Sequence, residues 1–268
     1  MDSVHISLAA EEIFRLGPLP VTNSLLTTWF VLIFLIVLAL IINSRLKMVP
    51  SNLQIFAEMM VGGLHSLFEQ ILHEKNNKYY PYLATIFIFI IFQNWSGLLP
   101  GVGTIGLYKS EGHTQTNAVY AVANEIEEIE VQQEPQTSFV PLFRSGTADL
   151  NTTLALALMT IIYIQFAGLK TLGASYLKKF FNFSNPIFTF VGILEMISEI
   201  SRIISFAFRL FGNIFAGEVL LTVIAFLIPI LAPIPFLGLE IFVGFIQAIV
   251  FSMLSAVFFS LATEQSSH

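Results

Sequence analysis

Long runs of apolar residues alternate along this chain with shorter polar stretches. Such runs predict helices that cross a membrane, because about 20 consecutive apolar residues span the hydrocarbon layer of a bilayer. Five spans are predicted, at residues 25–42, 81–99, 150–168, 186–227 and 236–262. The pattern therefore predicts an all-α integral membrane protein with about five membrane helices.

A sixth predicted helix, at residues 51–74, is amphipathic. Its apolar side chains recur at spacings of three and four residues, which is the period of one helix face. They are Leu53, Phe56, Met60, Leu64, Leu67 and Ile71. Such a helix either lies in the membrane interface or packs beneath the other helices.

The two longest polar stretches are residues 1–24 and 101–148. The second is strongly acidic, which is typical of a solvated loop with a partly disordered insert. Its acidic residues are Glu111, Glu125, Glu127, Glu128, Glu130 and Glu134. The sequence assigns no role to this insert.

Basic residues predict the orientation in the membrane, since Lys and Arg concentrate on the cytoplasmic side. Alternating the spans places seven of them on one side: Arg45, Lys47, Lys75, Lys78, Lys170, Lys178 and Lys179. Only three fall on the other side: Arg15, Lys109 and Arg144. We therefore expect a multi-pass protein of the cell inner (plasma) membrane, with its N-terminus outside and its C-terminus in the cytoplasm.

Composition agrees and excludes several classes of protein. The 268 residues are 55% hydrophobic and 11% charged, against roughly 25% charged in soluble domains. The net charge of −6 argues against a nucleic-acid partner. With no Cys, scattered His and no phosphate-binding GxxxxGK[ST] motif, the sequence predicts no metal, no cofactor, no nucleotide site and no enzyme activity of its own.

The segment 186–227 is too long for an upright span. It has neither Gly nor Pro between Ile193 and Phe211, so it predicts one helix of about 42 residues, or roughly 63 Å. That is about twice the hydrocarbon thickness. We expect a helix tilted well over 40° that forms a long hairpin with 236–262 through a turn containing Pro229, Pro233 and Pro235.

Polar residues follow one face of this long helix. At 100° per residue the stripe extends over roughly 27 Å. It contains Glu195, Glu199, Arg202, Arg209 and Asn213. Glu218 falls on the opposite face, and Glu240 and Gln247 share one face of the last helix, seven residues apart.

Charged groups at membrane depth cost roughly 2.5–3.5 kcal/mol each, so they require a reason. An interfacial cluster of ion pairs explains Glu195, Glu199 and Arg202 as well as a functional role does. An interfacial position is also open for Glu240. Apolar sequence flanks Arg209 and Glu218 on both sides, which favours function.

Several stretches of the chain resemble the F-type ATP synthase a subunit family. The strongest is 205–218, which reads SFAFRLFGNIFAGE, and supporting stretches are 18–23, 94–101 and 148–153. The spacing of Glu240 and Gln247 also resembles the family pattern, although some members carry His at the position of Glu240.

The resemblance implies a stator subunit that translocates protons beside a rotating ring of c subunits, held by b-type peripheral stalk subunits. It implies that Arg209 faces the ring carboxylates. It further implies an outer half-channel with Asn213, Glu218, Glu240 and Gln247, and a cytoplasmic exit with Glu195, Glu199 and Ser205. Asp149, in the matching stretch 148–153, joins the implied proton path.

A self-contained proton-coupled transporter or channel is the alternative. That class often has duplicated halves with broken helices at matched positions, and this chain shows no internal repeat. A purely structural scaffold leaves Arg209 unexplained. The choice between H⁺ and Na⁺, the ring size and the prevailing direction of the motor stay open at this point.

Overall fold

The computed structural model describes residues 9–110, 137–178, 180, 185–228 and 231–264. Seven helices account for most of them: α1 Asn23–Ser44, α2 Asn52–Leu72, α3 Asn76–Ser96, α4 Leu150–Leu172, α5 Ala174–Lys178, α6 Pro186–Leu227 and α7 Pro233–Thr263. Single 3₁₀ turns precede α3 (His73–Lys75) and α4 (Gly146–Ala148). The acidic residues of the predicted insert and Pro229 of the predicted turn lie outside the described residues.

Four of the described helices are long and apolar enough to cross a membrane: α1, α4, α6 and α7. The predicted all-α membrane fold is confirmed at this level. The fifth predicted span corresponds to α3, which is less apolar, and its crossing of the membrane stays a prediction. It begins at Asn76, five residues before the predicted start, because a proline at position 81 costs a helix one backbone hydrogen bond and leaves the remaining turns intact.

The predicted continuity of the long helix is confirmed, since α6 is unbroken over 42 residues. Its tilt in the bilayer stays a prediction. The start predicted for the last helix was wrong: α7 begins at Pro233, not at 236. Pro233 and Pro235 lie in its first turn, where the backbone N–H groups have no partner within the helix, so their absence costs nothing.

Two β-hairpins, which the sequence did not predict, add to the helices. Strand β1 (Glu12–Leu16) pairs antiparallel with β2 (Leu19–Thr22). Strand β3 (Gly106–Ser110) pairs with β4 (Thr137–Pro141), so a ladder joins the two ends of the acidic insert. Both hairpins lie at the end of the bundle where α1 and α4 begin.

Residues 144–149 correct the loop prediction more strongly, because they are buried, not solvated. The polar groups of this segment are satisfied inside the bundle. Thr147 Oγ1 donates to Asn94 Oδ1 over 2.8 Å, and Asn94 Nδ2 donates to the Gly244 carbonyl over 2.9 Å. A chain segment with internal hydrogen-bond partners for its backbone and side chains can enter a protein interior without a large desolvation cost.

The core lies between α3, α4, α6 and α7. Small residues with no exposed surface permit close helix approach, as is usual in membrane bundles; they are Ala157, Ala207, Ala248 and Ala256. Aromatic pairs fill the space beside them: the ring centres of Phe206 and Phe251 are 4.7 Å apart, as are those of Tyr79 and Phe259.

The amphipathic helix α2 has two different halves. Its N-terminal half exposes Leu53 and Phe56, as expected for a helix in the membrane interface. Its C-terminal half buries Leu64, Phe68 and Leu72 in the core cluster. The C-terminal half of α2 therefore packs against the other helices, and the interfacial position of its N-terminal half stays a prediction.

Candidate functional site

Arg209 lies in the middle of α6 with its side chain exposed on the outside of the bundle. Its neighbours Phe206, Ala207 and Leu210 are buried, so the packed face of α6 points away from the guanidinium. Nη2 donates to Ser205 Oγ, one turn earlier, over 3.3 Å. Within the part of the chain that the structure describes, no carboxylate forms an ion pair with Arg209.

Much of the exposed surface on the other faces of this part of α6 is apolar. Ile197, Ile200, Ile204 and Phe208 are all exposed along this part of α6. A lone cation in an apolar surface at membrane depth has a high desolvation cost unless an anion approaches it from outside the chain. The arrangement can therefore attract a passing carboxylate.

Glu218, nine residues later, has a partner in this chain. Arg144 Nε lies 3.0 Å from Glu218 Oε1 and 3.1 Å from Oε2. The Arg144 side chain is 7% exposed, whereas that of Glu218 is 38% exposed. Arg209 and Glu218 thus lie on opposite faces of α6, as helical spacing predicted. Glu218 has an ion-pair partner, whereas Arg209 has none among the described residues.

Glu240 is buried and packs directly on α6 at Gly217. A Cβ atom at position 217 would overlap the Glu240 carboxyl group. Glycine at position 217 therefore provides the space that the Glu240 carboxyl group occupies, next to Glu218 in the chain. Glu240 therefore lies between α6 and α7, and its depth in the membrane stays a prediction.

Asn213 and Gln247 are half-buried, and neither has a side-chain hydrogen bond to any described residue. Gln247 lies two turns after Glu240 on α7. No described hydrogen bond joins Glu218 to Glu240 or Gln247. The meeting of these three side chains in one aqueous cavity therefore stays a prediction.

Glu195 and Glu199 lie around Arg202 near the other end of α6. Arg202 forms an ion pair with Glu199, and its Nη2 is 4.0 Å from Glu195 Oε1. Its guanidinium carbon is 4.6 Å from the centre of the Phe258 ring on α7. The ion-pair cluster that the spacing predicted is present; a role at the exit stays a prediction.

Asp149 caps the first turn of α4, where its carboxylate accepts a hydrogen bond from the Asn151 N–H over 3.0 Å. Such a cap stabilises a helix by about 1 kcal/mol. This structural role accounts for the residue type at this position, and a place for Asp149 in a proton path stays a prediction.

Three residues beside these sites were not singled out from sequence: Arg144, Gln165 and Tyr176. The hydroxyl of Tyr176 donates to Gln165 Oε1 over 2.6 Å, and Gln165 and Glu199 line a cavity of about 310 Å³. Burial, and next the charge of Glu199, raise the pKa of Tyr176 to about 12, so this phenol stays a donor at physiological pH. Gln165 could have been identified from sequence, because it is a polar residue within an apolar helix.

Among the described residues, no group of three or more His, Asp or Glu side chains could hold a metal ion.

Known proteins are similar to this chain over most of its length. A family model described as ATP synthase A chain matches residues 25–260, a range that contains Arg209, Glu218 and Glu240. The chain is 36% identical over 253 residues to an ATP synthase subunit a from Gloeobacter violaceus, covering 94% of this chain and 88% of that protein. It is 30% identical over 248 residues to one from Moorella thermoacetica, with coverages of 92% and 93%. A chloroplastic ATP synthase subunit a from Stigeoclonium helveticum is 33% identical over 241 residues, with coverages of 90% and 84%.

Proposed function

The chain belongs to the ATP synthase A chain family, and we propose on that basis that it is the proton-translocating stator subunit of a rotary ATP synthase. Family membership makes it a multi-pass, non-catalytic membrane subunit of that complex, with roles in ATP synthesis and ion transport. The proton path, the ring contact and the role of each residue are the content of the proposal.

The observation that carries the proposal is the position of Arg209. It is a permanent cation, because guanidinium does not lose its proton in proteins. It is exposed on the outside of a continuous, largely apolar helix, and none of the described carboxylates pairs with it. Such a residue is suited to an anionic partner on another subunit.

A ring of c subunits that carries one carboxylate on each copy is that partner in our proposal. When a protonated carboxyl reaches Arg209, the cation favours its ionised form, and the proton leaves. The attraction is strong because the interface holds little water. The same charge repels protons, so none passes directly from one half-channel to the other.

Two offset half-channels deliver and remove the protons. The outer one uses Asn213, Glu218, Glu240 and Gln247, with Asp149 near its outer end. The inner one passes Ser205, Glu199 and Glu195 toward the cytoplasm. In support, the Glu240 carboxyl packs at Gly217, and Ser205 contacts Arg209 directly.

The remaining parts of the proposal concern partners and orientation. The subunit contacts b-type peripheral stalk subunits and binds no nucleotide itself. It lies in the cell inner (plasma) membrane with its N-terminus outside and its C-terminus in the cytoplasm, as the distribution of Lys and Arg indicates. Its last two long helices form the tilted hairpin that faces the ring.

A self-contained transporter is less well supported. Such a protein places its functional charges between its own helices or in a cavity that they enclose. Arg209 instead points away from the bundle. Purification of the chain in mild detergent with identification of its partners separates these two functions.

The decisive experiment replaces Arg209 with Ala in the intact complex. We expect ATP synthesis to stop and vesicles with the membrane sector alone to leak protons, because the barrier between the half-channels is gone. The control is Arg45→Ala, which removes an exposed cation just after α1. Normal ATP synthesis in the Arg209 variant would refute the proposed function.

A further inference from the structure

Arg144 is a buried cation that the proposed proton path does not use. It lies between β4 and the 3₁₀ turn before α4, 74 positions from its ion-pair partner Glu218. A buried arginine cannot shed its charge, so it requires an anionic partner in the folded state. The 7% exposure of its side chain therefore makes the ion pair with Glu218 part of the architecture of this site.

Several contacts hold the guanidinium in place. Nη1 donates to the Ala9 carbonyl over 3.2 Å, and the guanidinium carbon lies 5.9 Å from the centre of the Phe215 ring on α6. The Arg144 backbone N–H donates to Thr27 Oγ1 on α1 over 3.2 Å. Contacts to α1, to α6 and to the segment before β1 thus fix the charge, and the Arg144 side chain is preorganised rather than free to follow Glu218.

Glu218 is differently placed. Its side chain is 38% exposed, so one part faces Arg144 while another part stays accessible from outside the bundle. Gly217, the preceding residue, contacts the Glu240 carboxyl group. Glu218 therefore contacts the fixed positive charge of Arg144 on one side and faces the proposed outer half-channel on the other.

We propose that Arg144 is the positioning residue of the outer half-channel, holding Glu218 as a carboxylate at one place beside α7 and restoring it after each proton has passed. This inference rests on the proposed function. A proton from the outer water binds a Glu218 oxygen, which breaks the ion pair between Glu218 and Arg144. The regained ion pair then favours transfer of that proton onward to the ring carboxylate, while Arg144 keeps all its own protons.

Arg144→Gln tests the inference in membranes that contain the complete ATP synthase. We expect about a tenfold loss of ATP-driven proton pumping, as for a lost hydrogen bond to a charged group. Membrane-bound ATPase activity, which reports assembly, should be retained. Arg144→Lys should keep at least about half of the pumping, since it preserves the charge. The matched control is Arg15→Gln, which breaks an exposed ion pair with Glu12 and should leave pumping unchanged.

A double-mutant cycle shows whether Arg144 acts through Glu218. Glu218→Asp keeps a carboxylate but withdraws it from Arg144, and the double variant Arg144→Gln, Glu218→Asp should pump no less than the weaker single variant. If Arg144→Gln does not assemble, Arg144→Lys replaces it in the cycle. Assembly should then return in the neutral pair Arg144→Gln, Glu218→Gln, which leaves no buried charge.

Three results would overturn the inference: normal pumping in Arg144→Gln, a multiplicative further loss in the double variant, or failure of the neutral pair to assemble. Each differs from failure of the proposed function, which is read from Arg209→Ala in the same preparation. If the Arg209 variant loses synthesis while Arg144→Gln pumps normally, only the role of Arg144 is wrong.

Discussion

Arg209 lies on α6, and Arg144 contacts α6 from a distant segment of the chain; the two arginines have opposite surroundings. Arg209 lies on the exposed face, with Ser205 Oγ at 3.3 Å and no ion pair to any described carboxylate. Arg144 reaches the other face from a distant segment, is almost completely buried, and pairs with Glu218 at 3.0 Å. The first charge has no ion-pair partner among the described residues, and the second pairs with Glu218.

This difference separates two functions of a charge in an apolar environment. A cation with its own carboxylate is neutralised, and it can only position that carboxylate. A cation without one retains its field for whatever passes, and it can change the protonation of a moving group. Under the proposed function, the same residue type therefore has a fixed role at Glu218 and a dynamic role at the centre of α6.

The comparison is sharpest when both arginines are replaced with Lys. We expect Arg209→Lys to reduce ATP synthesis to below about one hundredth, because a compact ammonium can lose its proton at a site with little water. Arg144→Lys should retain most activity, because Glu218 stabilises the ammonium. ATP synthesis by inverted vesicles measures both, normalised to membrane-bound ATPase. Equal losses in the two variants would mean that the two surroundings do not matter.

A smaller effect is expected from Gly217→Ala, which disturbs the outer site without changing a charge. The added Cβ would overlap the Glu240 carboxyl, whose flexible side chain can move away. The complex should assemble, and pumping should fall by roughly three- to tenfold because a proton-carrying group is displaced. The matched control is Gly238→Ala on α7, where a Cβ would meet no atom within 4 Å. Pumping at the control level in Gly217→Ala would remove Glu240 from the outer path.

The smallest effect is expected at a third arginine, Arg202. Arg202 is paired, as Arg144 is, but its side chain is 25% exposed against 7% for Arg144, and its partners Glu195 and Glu199 are 24% and 13% exposed. Water can therefore reach the guanidinium of Arg202, and Arg202→Gln should lower pumping by only about two- to threefold. The measurement is ATP-driven pumping beside Arg144→Gln in one preparation. A loss as large as that of Arg209→Ala would show that Arg202, like Arg209, is essential for pumping.

The local sequence pattern predicted most of the helices and the faces of α6 on which its charged residues lie. The unbroken apolar sequence around Arg209 predicted one continuous α6, and α6 has the predicted bounds. Helical spacing placed Glu218 opposite Arg209 and Glu199 beside Arg202, as the structure has them. These predictions succeeded because they depend only on the period of one helix, which does not change with its neighbours.

Predictions that depended on other segments were less successful. Residues 144–149 read as part of a solvated acidic loop, yet they return into the bundle, where Thr147 and Asn94 satisfy each other. Prolines 233 and 235 read as a turn, although they begin α7. In both cases a residue's preference was compatible with two structures, and tertiary contacts chose between them.

By itself, then, the sequence determined a membrane protein with a long continuous helix, the face on which each polar group of that helix lies, and the family that its motifs resemble. Those properties follow from hydrophobicity and helix geometry within single segments. The tertiary structure alone decided which charges pair between distant segments: Arg144 pairs with Glu218 across 74 positions, and Arg209 pairs with no described carboxylate. Ion pairing depends on distances of a few ångströms between segments far apart in sequence, and only the packing of the helices sets those distances.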